Sequence, residues 1–198
     1  MSVIRAFIAI NISPEIKQRL EVVSKDLQRS LQGVPIRWVP VENIHVTLKF
    51  LGDVSESNLD LLKEGLEAEA TRHAPFDISA GELGAFPTIR RPRVLWVNVQ
   101  APSELEALQR GVDSEAARLG YDREERPFSP HLTIGRVSRN ANSKDVRRIS
   151  EHLESIKVGY IGAARIRDLH LYRSDLYPSG AVYTSIFTGA LGISANNG

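Results

Sequence analysis

His45-Val46-Thr47-Leu48 and His131-Leu132-Thr133-Ile134 spell one phrase twice: histidine, apolar, threonine, apolar. The chain holds five histidines and six threonines among 198 residues, so the chance of such a matched pair, apolar places included, is about 3 in 10⁴. Coincidence is a poor explanation, and a duplicated unit is a better one. In an extended segment successive side chains face opposite ways. His45, Thr47 and Lys49 then share one face, while Ile44, Val46, Leu48 and Phe50 turn to a core. Arg136 has the opposite parity to His131 and needs a strand end or a bulge to join it.

Working outward, the offset of 86 between the two histidines also carries Leu83 to Leu169 and Phe86 to Tyr172. Upstream, Arg5-Ala6-Phe7-Ile8-Ala9-Ile10 aligns with Arg93-Val94-Leu95-Trp96-Val97-Asn98 at an offset of 88, so a two-residue length difference is expected between the copies. The unit reads as strand, helix, strand, helix, strand. Strands are predicted near 3–10, 44–51, 76–83, 93–99, 131–137, 164–172 and 182–191, with loops at 33–40, 85–92, 121–130 and 177–180. Four helices are predicted. Ser13-Pro14 starts the first, and Ser103 with Glu106 forms a capping box on the third. Ser55 and Ser143 cap helices over 56–73 and 144–157. The implied fold class is α+β, with two largely antiparallel sheets related by a pseudo-twofold axis. Helices lie outside, and His45 faces His131 across a central cleft. Residues 1–193 form a single bilobal domain, because no Pro-, Gly- or Ser-rich linker parts the halves, and 194–198 form a frayed tail.

Composition excludes several function classes. Lys and Arg total 25 against 24 Asp and Glu, a net charge of +1, unlike a protein that coats nucleic acid. Without cysteine there is no disulfide, thiolate nucleophile or cysteine-ligated zinc. The apolar opening carries Arg5 and is too short for a signal core, and no 18-residue apolar run follows. The expectation is a cytoplasmic protein without membrane contact.

The chain resembles the two-histidine (2H) phosphoesterase superfamily, whose signature is a pair of H-x-T/S-x motifs in duplicated lobes. More narrowly it is similar to the RNA 2′,3′-cyclic phosphodiesterases of bacteria and archaea, long labelled 2′-5′ RNA ligases. The likeness runs through Arg5–Ile10, His45-Val46-Thr47-Leu48-Lys49-Phe50-Leu51-Gly52, Pro127-Phe128-Ser129-Pro130-His131-Leu132-Thr133-Ile134-Gly135-Arg136 and Leu171-Tyr172-Arg173-Ser174. The family often has alanine where Gly135 stands. The resemblance implies that His45 and His131 are the catalytic pair, with His131 as base and His45 as acid. Thr47 and Thr133 then hold the phosphate, and a terminal 2′,3′-cyclic phosphate opens to a 2′-phosphomonoester. Lys49 and Arg136 are further candidates for substrate binding. The residues agree with this: an imidazole exchanges protons near neutral pH and a threonine hydroxyl donates to an oxyanion.

No cofactor and no metal are expected, since zinc wants a third protein ligand and the sequence has no His-x-x-x-His. The expected partners are RNA ends or small nucleotides bearing a 2′,3′-cyclic phosphate, and the protein is expected to be a monomer. Two rival readings are end joining by the reverse reaction and a nucleotide-binding module that senses without turnover. His73, His152 and His170 read as structural or solvated. Arg90, Arg91 and Arg93 are expected to touch RNA, and Arg123 and Arg126 form a second cluster with a more ordinary solvated reading. Trp38, Phe50, Trp96 and Phe128 offer rings for a base to stack on, but aromatics in or beside strands are more often core, and core is the reading favoured for them.

Overall fold

The computed structural model describes residues 3–178 and 180–192. Its strands are β1 (Val3–Ile10), β2 (Ile36–Trp38), β3 (Val46–Ser55), β4 (Phe76–Thr88), β5 (Arg91–Gln100), β6 (His131–Val137), β7 (Tyr160–Ile166), β8 (Asp168–Tyr177) and β9 (Gly180–Ala190). Its helices are α1 (Pro14–Ser30), α2 (Leu59–Ala70), α3 (Ser103–Arg118) and α4 (Ser143–Ser155). One sheet has the order β3-β1-β8-β9 and the other β2-β6-β5-β4-β7, with every pairing antiparallel.

The two orders superpose the duplication: β3 answers to β6, β1 to β5, β8 to β4 and β9 to β7. The lobes are nevertheless not the two halves of the chain. β4, from the first copy, pairs with β5, and β8, from the second, pairs with β1. Each copy therefore lends its third strand to the other's sheet. The helices exchange too. α1 follows a strand of the first sheet yet packs on β7, while α3 follows β5 yet packs on β3. Buried apolar residues from both sheets join in one cluster that includes Ile8, Ile10, Leu48, Leu95, Val97, Leu132 and Ile134.

Several local expectations change. The stretch 164–172 is two strands, broken at Arg167, that serve different sheets. The expected loop 85–92 is mostly strand, because β4 and β5 run on to a tight hairpin at Ile89-Arg90. β2 lies inside the expected loop 33–40 and adds an edge to β6. In the hydrogen-bonded registers Ile8 lies opposite Lys49 and Leu95 opposite Gly135. That relates β1 to β5 by 87 and corrects the expected offset of 88 by one residue. Ser13 caps α1 through a bond from the Ile16 N–H. Asn142, not Ser143, caps α4 in a reciprocal box with Asp145. Pro102 precedes α3 without a side-chain cap, and Ser55 leads into a 3₁₀ turn before α2 starts at Leu59. The 194–198 tail lies outside the described residues.

Candidate active site

His45 immediately precedes β3 and His131 opens β6, and both strands carry a bulge immediately after the threonine. Ala9 pairs with Thr47 and Ile8 with Lys49, which leaves Leu48 without a partner on β1. Trp96 pairs with Thr133 and Leu95 with Gly135, which leaves Ile134 without one on β5. A bulge adds one residue to a strand and so inverts the alternation beyond it. Leu48 and Ile134 are buried, and the next residues, Lys49 and Gly135, also point away from the histidines. Phe50 and Arg136 swing back to the histidine face.

This overturns two sequence expectations. Lys49 is not beside the histidines: only 6% of its side chain is exposed, and Nζ donates to Asp113 Oδ1 of α3 at 2.5 Å and to the Asp122 carbonyl. Phe50 is not core: it is 65% exposed and packs beside Phe7, ring centroids 6.1 Å apart. Arg136 does have the bulge it requires. It is exposed, and its charge bears on both His45 and His131.

The two imidazoles are held alike. His45 Nδ1 lies 2.8 Å from the Asn43 carbonyl and His131 Nδ1 lies 2.7 Å from the Ser129 carbonyl, in each case the residue two places upstream. A carbonyl only accepts, so Nδ1 carries the proton and Nε2 is left as the working nitrogen. Nε2 of His45 sits 3.1 Å from Thr47 Oγ1. Aromatic rings fix both orientations. His45 stacks on Phe7 at 4.7 Å and meets the edge of Tyr183 at 5.6 Å, and His131 stands edge-on to Phe86 at 4.9 Å. Tyr172, the repeat partner of Phe86, stacks on Phe7 and donates its hydroxyl to Asn11.

β3 and β6 come within contact of each other, and His131 is near enough to disfavour the protonated form of His45. Burial is the main reason that His45 is pushed down to about 4 from 6.5. The Asn43 carbonyl opposes this, and Lys17, Arg136 and His131 add to it. Burial also lowers His131, against the Ser129 bond and with help from Arg136. Both histidines are therefore held below their ordinary value with cations nearby, a setting in which a bound anion would restore a proton to one of them.

The structure thus gathers His45, Thr47, His131 and Arg136, leaves Thr133 two residues after His131 on β6, and sends Lys49 elsewhere. The remaining histidines have local partners or none: His73 lies 2.6 Å from Glu69, and His170 bridges Asp168 and Thr188. His152 Nε2 is buried without a partner among the described residues. Sequence reasoning missed Phe7, Tyr172 and Tyr183 as the walls of His45. The repeat of Phe86 at Tyr172 was the available signal.

The LigT-like phosphoesterase pattern matches this chain twice, over residues 10–96 and 97–183. The chain belongs to the LigT-like phosphoesterase family. The pattern's boundaries reproduce the duplication read from the histidines, one copy ending where the other begins. Among relatives, the RNA 2′,3′-cyclic phosphodiesterase of Archaeoglobus fulgidus is 37% identical over 184 residues, covering 92% of this chain and 97% of its own. That of Methanothermobacter thermautotrophicus is 33% identical over 183 residues, covering 92% and 96%. Escherichia coli LigT complexed with 3′-AMP superposes with a TM-score of 0.72 at 26% identity, covering 96% of this chain and 99% of that one. No helix among the described residues is long and apolar enough to cross a membrane.

Proposed function

We propose that this LigT-like phosphoesterase hydrolyses terminal 2′,3′-cyclic phosphodiesters of RNA to 2′-phosphomonoesters, with His131 as general base and His45 as general acid. The observation that carries the reading is the matched pair of imidazoles, each with Nδ1 tied to a carbonyl, Nε2 as the working nitrogen and a threonine two residues on. In-line displacement at phosphorus needs a base behind the attacking water and an acid beside the departing oxygen. Two strands related by a pseudo-twofold supply these from opposite sides. His131 Nε2 takes the proton of water as its oxygen bonds to phosphorus. The bond to the ribose 3′ oxygen breaks, and His45 Nε2 returns a proton to that oxygen.

Thr47 and Thr133 donate to the phosphoryl oxygens, whose charge grows in the transition state, and Arg136 adds a cation nearby. One such donor commonly contributes about 10² to 10³ in rate. Phe50, bare at the repeat position of Arg136, offers a ring on which a base can stack. The relatives' activity and the bound 3′-AMP of E. coli LigT agree with this substrate class. The test is incubation with an oligonucleotide bearing a 2′,3′-cyclic phosphate. A product resistant to a 3′-specific phosphatase, lost in both His45→Ala and His131→Ala, is expected. Turnover in either variant near the wild-type rate would overturn the assignment.

A further inference from the structure

Arg136 does not stand alone. In the second sheet it lies opposite Arg37 of β2 on one side and Val94 of β5 on the other. Ile36 and Trp38, the neighbours of Arg37, close over Gly135 on the opposite face of the sheet. Arg37 therefore shares the histidine face with Arg136. From Val94 the chain runs back through Arg93 and Arg91 to the hairpin tip at Arg90, and Arg91 and Arg93 are exposed. At about 3.3 Å per strand residue the tip lies about 10 Å beyond the Arg136 rung.

Among the described residues none of these five arginines pairs with a carboxylate, in contrast to the helices. There Arg29, Arg110, Arg118 and Arg147 each meet an Asp or Glu, and Arg19 and Arg148 are taken up by backbone carbonyls. A chain of net charge +1 has thus left a group of uncompensated guanidinium groups together at one end of one sheet, leading away from the two histidines. Like charges so grouped repel unless an anion lies over them, and the guanidinium fork matches phosphate oxygens.

We propose that the β4–β5 hairpin tip, with Arg90, Arg91 and Arg93, and the Arg37–Arg136 rung form a track for the ribose-phosphate chain upstream of the cleaved end. The protein then prefers single-stranded oligonucleotides to mononucleotides. This rests on the cleft being the cyclic-phosphate site. The terminal ribose enters between the sheets, which an unpaired 3′ end can do, and the preceding phosphates pass over the rung towards the tip. Arg136 belongs to both parts, so the hairpin arginines provide the cleaner test.

The experiment compares wild type with Arg90→Ser/Arg91→Ser/Arg93→Ser on two substrates, a 2′,3′-cyclic mononucleotide and a short oligonucleotide ending in the same group. Single strands lose about 0.7 log units of binding per log unit of salt for each phosphate contact. Three lost contacts flatten the salt slope of kcat/KM for the oligonucleotide by about 2, a difference of about twentyfold between about 50 and about 200 mM salt. Mononucleotide kcat/KM stays as in wild type, which also shows that the triple variant is folded. Equal salt slopes in the two proteins, or equal losses on the two substrates, would overturn the track. A second arm measures anisotropy of labelled single-stranded RNA ending in a plain hydroxyl, with polyglutamate as competitor. Weaker, less salt-dependent RNA binding by the variant supports the track even if the cyclic substrate proves not to be turned over. Binding unchanged by the substitutions, or abolished by polyglutamate at equal charge concentration, would refute it.

Discussion

Replacing Lys49 by methionine separates two roles that its place in the motif makes easy to confuse. Lys49→Met keeps most of the length of the side chain and removes Nζ, which leaves Asp113 buried on α3 opposite an apolar group. Losing one member of a buried pair costs about 3 to 5 kcal/mol. The lower end applies, because Asp113 keeps the Glu124 N–H at 3.1 Å and Arg123 at 3.9 Å. At about 2 to 4 °C per kcal/mol for a domain of this size, a loss of about 3 kcal/mol lowers Tm by about 6 to 12 °C. Thermal unfolding followed by circular dichroism reads it directly. The double variant Lys49→Met/Asp113→Leu removes the orphaned charge and should recover most of the loss, since an apolar pair can replace a buried ion pair at little cost.

The pH dependence carries the same sign. Burial raises the Asp113 carboxyl, but bonds from Lys49 and the Glu124 N–H outweigh it, so the group is held below its usual value. A depressed carboxylate stabilises the fold fully above its unfolded value, about 3.9, and loses that contribution as pH falls through the folded value. The Tm gap between wild type and Lys49→Met should therefore narrow below about pH 4. A shift under about 2 °C would show that the pair is not desolvated. Loss of turnover at unchanged Tm would place Lys49 on the phosphate after all.

Thr47→Ser and Thr133→Ser should keep most activity and the alanine variants should lose about 10² to 10³ in kcat; equal losses for serine and alanine would point to methyl packing. Activity should persist in excess EDTA, and a loss restored by a divalent ion would sink a metal-free mechanism. The kcat/KM profile should be a bell on the acid side of pH 6.5, because the free protein holds His45 down at about 4 and His131 below its ordinary value of 6.5. Arg136→Met removes a cation that disfavours both imidazolium forms, so both limbs should move to higher pH; unmoved limbs would show that Arg136 is remote from the pair.

Alternation and repetition made the two histidines, the threonines and the α+β class legible in the amino-acid sequence. They work because a strand has a period of two and a copied unit keeps its spacing. What was not legible depends on a single residue of slack. The bulges at Leu48 and Ile134 leave no composition signal, since both residues are ordinary buried aliphatics, yet they decide that Lys49 goes under the sheet and Phe50 and Arg136 above it. The exchange of β4 and β8 was equally silent. A local pattern says that a segment is a strand, while its partner is chosen by tertiary packing.

The duplication itself explains how a symmetric frame supports an asymmetric reaction. At equivalent places the copies carry Phe50 and Arg136, Lys49 and Gly135, Ala9 and Trp96, and His170 and Gly84. The indole of Trp96 lies where a side chain on Gly84 would stand, within 2.1 Å of a β-carbon built there, and in the other lobe His170 stands opposite Ala9. Each large residue faces a small one, and the order is reversed between lobes, so volume is conserved while chemistry diverges. Five residues beyond its histidine one copy exposes the ring of Phe50 and the other the guanidinium of Arg136. On the proposed reading, a nucleotide with a base at one end and a phosphate chain at the other meets a different group on each side and is expected to enter one way round. Nδ1 of both histidines is held alike, so in the proposed mechanism it falls to their unlike neighbours to distinguish the acid from the base.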